Sequence, residues 1–264
     1  MRDHGEDRDL LAGAALEAGL VALGHFRRPL AVEEKPGGAG PVTVADREVD
    51  AFLRGRLTAA RPDYGWLSEE SADGPERLGS GRVFVIDPID GTRAFIAGEA
   101  GWSVALAVIE DGRPVAAVVH LPARGESFAA ARGAGAMCNG RVIRGSARSA
   151  LVGAQTLVAR PQLEAHLWPG GVPAVARAFR PSMAWRLCLV AQGRFDAMLS
   201  LRDTWEWDVA AGALIAAEAG VVVSDREGAP LAFNRPEPRL PGVIAAPPAL
   251  HRAFLERRSP RRSD

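Results

Sequence analysis

Apolar residues recur at helical spacing over residues 6–27, with Leu10, Leu11, Ala14, Ala18 and Val21 on one stripe. That period predicts an amphipathic helix, stopped by Pro29. The next stretch, Glu33-Glu34-Lys35-Pro36-Gly37-Gly38-Ala39-Gly40-Pro41, has no apolar period, and its Gly and Pro residues defeat both helix and strand. It reads as a mobile loop. A second helix is expected from Ala45 to Ala59. From Gly65 to Ala131 the pattern turns to strands. Val83-Phe84-Val85-Ile86 reads as a short buried strand. Trp102 to Ile109 and Val115 to Leu121 flank Glu110-Asp111-Gly112-Arg113, a hairpin signal, and Phe128 to Ala131 continues the sheet. Beyond residue 146 the two periods alternate. Strands are expected at 151–158, 195–199, 220–224 and 242–246, and helices at 183–193, 206–218 and 248–257. The alternation predicts a layered α/β half at 146–264 behind an α+β half at 1–145, the two packing as one unit with a cleft between them. There are no repeats and no low-complexity linker.

Composition narrows the possibilities. The chain has 264 residues, 47% of them hydrophobic, enough to bury a sizeable core. Its 32 basic residues balance its 32 acidic ones. With no basic excess or stripe, a nucleic-acid polymer is not an expected partner. Arg257-Arg258 and Arg261-Arg262 read as a solvated, frayed tail. The two cysteines form no CxxC pair and the five histidines have no zinc spacing. No apolar run reaches the ~18 residues of a membrane span. The charged N-terminus lacks a signal-peptide core, so a cytoplasmic location is expected.

Four segments carry candidate chemistry. In Asp87-Pro88-Ile89-Asp90-Gly91-Thr92 a buried strand delivers two carboxylates to a turn, and a helix begins near Thr92. Two hard anionic ligands suit an oxygen-loving divalent cation, and free N–H groups at a helix start suit a phosphate. The same residues also fit a plain turn with an Asx cap. Glu69 and Glu70 follow apolar Trp66-Leu67, where paired carboxylates want water or a cation. Asp208, in Trp205-Glu206-Trp207-Asp208, opens a helix rich in small residues, and by itself reads as an N-cap. Thr43 and Asp46 lie near another helix start, where capping is again the simplest role.

In this order and at this spacing the Val-Thr-x-Ala-Asp segment, the Glu-Glu pair, DPIDGT and Trp-Asp-x-Ala-Ala-Gly resemble the inositol monophosphatase superfamily, which comprises lithium-sensitive, metal-dependent phosphatases. The resemblance spans almost the whole chain and implies an αβαβα sandwich and a homodimer. It implies two or three Mg²⁺ ions held by Glu69, Asp87, the Ile89 carbonyl, Asp90 and Asp208. The substrate phosphate would lie against Gly91 and Thr92 and near Asp208, and Thr92 would pair with Asp46. Glu69, Asp90, Thr92 and Asp46 are then the catalytic set. The chemistry implied is metal-ion catalysis by direct in-line attack of water on a small phosphorylated metabolite. Lys35, the chain's only lysine, falls where the family carries a lysine on a mobile, metal-sensing loop, although Gly38-Ala39-Gly40-Pro41 replaces a more polar lead-in.

Within that superfamily, Thr204-Trp205-Glu206-Trp207-Asp208 and the basic residue after Thr92 look like the 3'(2'),5'-bisphosphate nucleotidase branch, which hydrolyses 3'-phosphoadenosine 5'-phosphate. Inositol-phosphate members carry a Glu where Leu201 stands. Arg186 sits where nucleotidases often have a basic residue, and either meets a second phosphate or is a helix-surface arginine. Trp185 and Trp205 either stack on adenine or belong to the core. Ser182-Met183 replaces the family's Gly-Ser, which leaves a hydroxyl contact shifted or absent. Inositol 1-phosphate and histidinol phosphate are the alternative substrates. A non-catalytic phosphometabolite-binding protein is the alternative of another class.

Overall fold

Two sheets expose four broad faces, and apolar side chains on all four need cover. The computed structural model, which describes residues 3–38 and 40–259, supplies that cover with three layers of helix. The helices are α1 (His4–His25), α2 (Val44–Ala60), α3 (Thr92–Ile96), α4 (Met183–Ala191), α5 (Glu206–Glu218) and α6 (Pro248–Arg258). The strands of the first half are β1 (Val32–Glu34), β2 (Pro41–Thr43), β3 (Gly65–Ser68), β4 (Arg82–Asp90), β5 (Ser103–Glu110), β6 (Arg113–Leu121), β7 (Glu126–Ala131), β8 (Ala136–Cys138) and β9 (Arg141–Val142). Those of the second are β10 (Gln155–Val158), β11 (Ala176–Ala178), β12 (Ala197–Ser200), β13 (Thr204–Trp205), β14 (Val222–Ser224), β15 (Arg239–Leu240) and β16 (Val243–Ala246).

Strands β3 to β9 form a seven-stranded sheet in chain order, antiparallel except where β3 pairs with β4. The second sheet has five strands in the order β11-β10-β12-β16-β14. Alternation along β4 shows how the layers are filled. Phe84 and Ile86 point to α1 and α2, packing with Leu11, Ala18, Val49 and Leu53. Val83 and Val85 point the other way, to α4 and α5, whose Leu187, Val190, Leu214 and Ile215 also meet Leu157, Met198 and Val243 of the second sheet. The outer face of that sheet is closed by Leu250 and Phe254 of α6 with Trp168. The layers are thus α1/α2, sheet, α4/α5, sheet, α6, the expected αβαβα sandwich.

Three local expectations are corrected. Helix α1 ends at His25, ahead of Pro29. The Phe26 N–H closes on the Ala22 carbonyl at 3.1 Å, and Arg27 turns the chain at φ 60. The stretch around Lys35 is not a structureless loop. Strands β1 and β2 pair antiparallel, Val32 with Thr43 and Glu34 with Pro41, and the Lys35 N–H bonds to the Gly40 carbonyl at 2.9 Å. Pairing between flanking segments leaves no trace in a local period. Arg257 and Arg258 close α6 instead of fraying. Arg257 Nη1 donates to the Gly170 carbonyl at 3.1 Å, and Arg258 pairs with Glu227 at 2.7 Å. Arg261 and Arg262 lie outside the described residues.

Candidate active site

In a regular strand, residues three apart face opposite sides of the sheet. Asp87 and Asp90 would therefore diverge. Strand β4 avoids this with a bulge. Asp87 pairs with Ala105 and Asp90 with Ser103, and the register shifts between them at Pro88-Ile89. A bulge bends a strand and re-aims its side chains. Pro88 lacks the N–H that a regular ladder position would use. Gly91 follows at φ 98, a left-handed conformation that favours glycine, and a Cβ there would crowd the Gly101 carbonyl oxygen at 3.3 Å. Helix α3 then starts at Thr92.

The third carboxylate comes from α5. Asp208 is not the N-cap, which is Trp205, but the third helical residue. It accepts from the Trp205 N–H and from Thr204 Oγ1, the latter at 3.1 Å. So held, Asp208 meets the other two: Asp87, Asp90 and Asp208 each offer an oxygen within 4.8 Å of the others. Their environment is hostile to three bare charges. Burial first, then Glu69, Asp90 and Asp208, push the Asp87 carboxyl well above its ordinary range. Burial, Asp90 and Glu69 push Asp208 up to about 8. Burial also raises Asp90, although it accepts from Ser182 Oγ at 2.6 Å and from the Ala184 and Met183 N–H groups at 2.7 and 3.2 Å. Asp87 Oδ1 is buried with no hydrogen-bond partner. An orphaned carboxylate oxygen beside two more carboxylates fits a hard divalent cation, which prefers oxygen ligands of this kind. The donor set therefore fits the metal that the sequence implies.

The cleft over these carboxylates, Asp208 among them, holds about 310 Å³ and is lined also by Glu69, Ile89, Gly91, Thr92 and Arg186. Glu69 is not part of the close trio. Lys35 Nζ donates to Glu69 Oε1 and to Glu70 Oε1, both at 2.6 Å. Burial pushes Glu70 up to about 7 against that partner. The Glu-Glu turn is pinned from below by Asp50, which accepts from Ser68 Oγ at 2.5 Å and from Ser71 Oγ. The Ile89 carbonyl accepts from Thr92 Oγ1 at 3.1 Å. The same hydroxyl lies 3.2 Å from Asp46 Oδ1. Asp46 is buried, and burial raises its carboxyl above the usual range. Its other oxygen takes the Thr43 N–H at 2.8 Å and the Thr43 hydroxyl at 2.6 Å in the capping box of α2. Capping and the contact to Thr92 thus coexist on one carboxylate.

Other expectations about the cleft change. Arg186 is not a helix-surface arginine: it is 8% exposed, and its Nη2 donates to the Pro181 carbonyl at 2.9 Å. Trp185 is buried, with the Arg124 guanidinium 4.8 Å from its ring. Trp205 is stacked on Trp207 at 4.8 Å and 11°, with Arg239 4.3 Å over its ring. Both tryptophans are engaged within the fold. Leu201 packs in the core with Ile244 and Leu250. Sequence reasoning missed Asp50, which sits one helical turn after Asp46 and shares its face. Ser182, expected from the sequence only to leave a hydroxyl contact shifted or absent, ties the start of α4 to Asp90 through its hydroxyl. A serine just before an apolar helical period was the available signal.

A family model described as the inositol monophosphatase family matches residues 6–261. An inositol-1-monophosphatase of Rhizobium meliloti (strain 1021) is 37% identical over 202 residues, 73% of this chain and 74% of that protein. A 3'-phosphoadenosine 5'-phosphate phosphatase of Mycobacterium leprae (strain TN) is 35% identical over 252 residues, 90% of this chain and 88% of that one. Among solved structures, an IMPase of Thermotoga maritima superposes with a TM-score of 0.82 at 27% identity, covering 96% of each chain.

Proposed function

The chain belongs to the inositol monophosphatase family, whose members are phosphoric monoester hydrolases, and on that premise we propose that it removes the 3'-phosphate of 3'-phosphoadenosine 5'-phosphate in the presence of Mg²⁺. The observation that carries the reading is the meeting of Asp87, Asp90 and Asp208 within 4.8 Å, with a buried Asp87 oxygen left over. These three, with Glu69 and the Ile89 carbonyl on the wall of the same cleft, would hold the metal. Bound Mg²⁺ supplies water activation and charge neutralisation for an in-line displacement. Gly91 and Thr92 orient the phosphoryl group at the start of α3. Thr92 Oγ1 takes the proton of the attacking water as it hands its own to Asp46, 3.2 Å away. Ser182 and the N–H groups of Met183 and Ala184 keep Asp90 aimed at the cleft. Arg186 faces the substrate from α4. The substrate reading is supported by the Mycobacterium leprae relative and by Leu201, which leaves no carboxylate for a sugar hydroxyl.

The Rhizobium meliloti relative favours inositol 1-phosphate as a second reading. Phosphate release from a panel of both esters decides between them, with kcat/KM at least tenfold higher on the nucleotide as the expected result. Activity is expected to vanish in chelator, return with Mg²⁺ and slow with Li⁺. Asp90→Asn is expected to lower kcat by about a thousandfold or more, several kcal/mol of barrier, with the fold intact by circular dichroism. Full turnover in excess chelator, or a near-native Asp90→Asn, ends the metal assignment. The assembly is read as a homodimer in the cytoplasm, a location in keeping with two free, buried cysteines.

A further inference from the structure

Three arginines face the cleft: Arg93 on α3, Arg186 on α4, and Arg202 in the link between β12 and β13. Arg186 is anchored by the carbonyls of Arg180 and Pro181. Arg93 and Arg202 are exposed, and neither side chain has a hydrogen bond or ion pair among the described residues. Both line two adjoining recesses. One lies over Asp87, Asp90 and Asp208. The other continues past Glu69 and Lys35 to Trp205 and Trp207. Arg93 leans over the ribbon tip, its Nη2 being 3.8 Å from where a Gly40 Cβ would stand.

The carboxylate nearest in sequence to Arg202 does not neutralise it. Asp203 is taken by Arg226 Nη1 at 2.6 Å. Arg202 instead adds its charge to that of Arg186. Burial lowers the Arg186 guanidinium below its ordinary range, Asp90 opposes that, and Arg202 lowers it further. Like charges held together at the rim of a cleft repel, and an anion between them removes the repulsion. The phosphoryl group under attack lies at Gly91 and Thr92, over the carboxylates. The second recess remains, lined by Arg93 and Arg202 together with Lys35, Glu69, Asp203 and Asp208. Glu69 is held by Lys35, Asp203 by Arg226, and Asp208 lies with Asp87 and Asp90, so Arg93 and Arg202 are its uncommitted charges. Its aromatic residues offer no ready platform, because Trp205 is already engaged by Trp207 and Arg239.

We infer that Arg202, which lines the same two recesses as Arg93, binds a second phosphate carried by the leaving group and sets selectivity for doubly over singly phosphorylated substrates. The inference rests on the phosphatase reading above. It predicts that the recess reads charge and geometry and is indifferent to which aromatic base the leaving group carries. Arginine suits this role because its planar fork meets phosphate oxygens in pairs.

The test compares adenosine 3',5'-bisphosphate with adenosine 3'-phosphate, which present the same scissile ester with and without the second phosphate. The full-length protein with Mg²⁺ is assayed as wild type, Arg202→Ala and Arg202→Lys. The wild type is expected to prefer the bisphosphate by a large factor in kcat/KM. Arg202→Ala is expected to cut that preference by about 10–100-fold, mainly through KM, in line with a charge-assisted hydrogen bond. Arg202→Lys is expected to restore part of it. The preference should weaken as salt is raised, and do so less steeply in Arg202→Ala. A wild-type preference near one, or a preference that survives Arg202→Ala, overturns this inference and leaves the phosphatase reading standing. A wild type that cleaves inositol 1-phosphate but neither nucleotide overturns both the nucleotide reading and this inference.

Discussion

Asp87 and Asp90, both buried, and half-buried Asp208 crowd one another at the floor of the cleft, and without a cation their mutual repulsion is a property of the folded state alone. Asp208 shows the consequence. Its carboxyl is pushed up to about 8 in the folded chain, whereas an unfolded aspartate titrates near ~4. Between those values the folded chain retains a proton that the unfolded chain has released. Stability of the metal-free protein therefore declines as pH rises from about 4 towards about 8. Asp208→Asn removes this dependence. In chelator at pH ~8 the variant is expected to melt higher than wild type, by ~2–4 °C for each kcal/mol recovered, and the gap should close near pH ~4. Equal melting curves at both pH values would mean that the three charges do not press on one another. Mg²⁺ should reverse the order at neutral pH, because only the wild type keeps the full ligand set.

Short elements aim these residues. The β4 bulge turns Asp87 and Asp90 to one side, the first turn of α5 presents Asp208, and the capping box of α2 fixes Asp46 under Thr92. The last can be tested separately from the metal. Thr43 gives Asp46 both its N–H and its hydroxyl, at 2.8 and 2.6 Å. Thr43→Ala removes the hydroxyl, with an expected stability loss of ~1 kcal/mol typical of a lost N-cap. It also frees Asp46 to shift from Thr92, so kcat should fall by about tenfold or more at temperatures well below melting, and Thr43→Ser should restore both. Loss of stability with unchanged kcat would confine Thr43 to capping and detach Asp46 from the proton path. Helix α5 was legible at this scale: it spans the expected 206–218, since its run of small and apolar residues between Trp205 and Gly220 has one helical reading. The two-residue and three-residue strands β8, β9, β11, β13 and β15 were not, because so few residues carry no period.

Across the whole molecule, the cleft exists because α4 and α5 are sandwiched between the sheets, α4 steadying Asp90 and α5 carrying Asp208. Their contact is close at Gly212. A Cβ there would meet Leu187 Cβ and Cδ1 at 2.7 Å and the Ala184 carbonyl oxygen at 3.1 Å. Gly212→Ala forces the helices apart, with an expected stability loss of ~1–3 kcal/mol from overpacking. Since α4 steadies Asp90 from β4 and α5 carries Asp208, Mg²⁺ affinity measured by calorimetry should weaken as well. Leu187→Ala in the same chain opens space and should recover part of both. A Gly212→Ala protein with native melting and native Mg²⁺ affinity would show that helix spacing does not set the site.

The sequence by itself determined the helices, the longer strands, the candidate carboxylates and the family, because helical and strand periods are local and four ordered motifs are specific together. Asp208 stands 118 positions after Asp90, and no local rule relates them. Only the tertiary structure decided that α5 would slide under the β4 bulge and bring them together. It alone decided that Lys35 would reach Glu69 and Glu70 from a paired ribbon, that Trp205 would be spent on Trp207 and Arg239, and that Arg202 would stand unneutralised over the cleft. The physical reason is the same in each case. Burial, charge pairing and stacking depend on which surfaces the layers press together, and that is a property of the packed molecule and not of neighbouring residues along the chain.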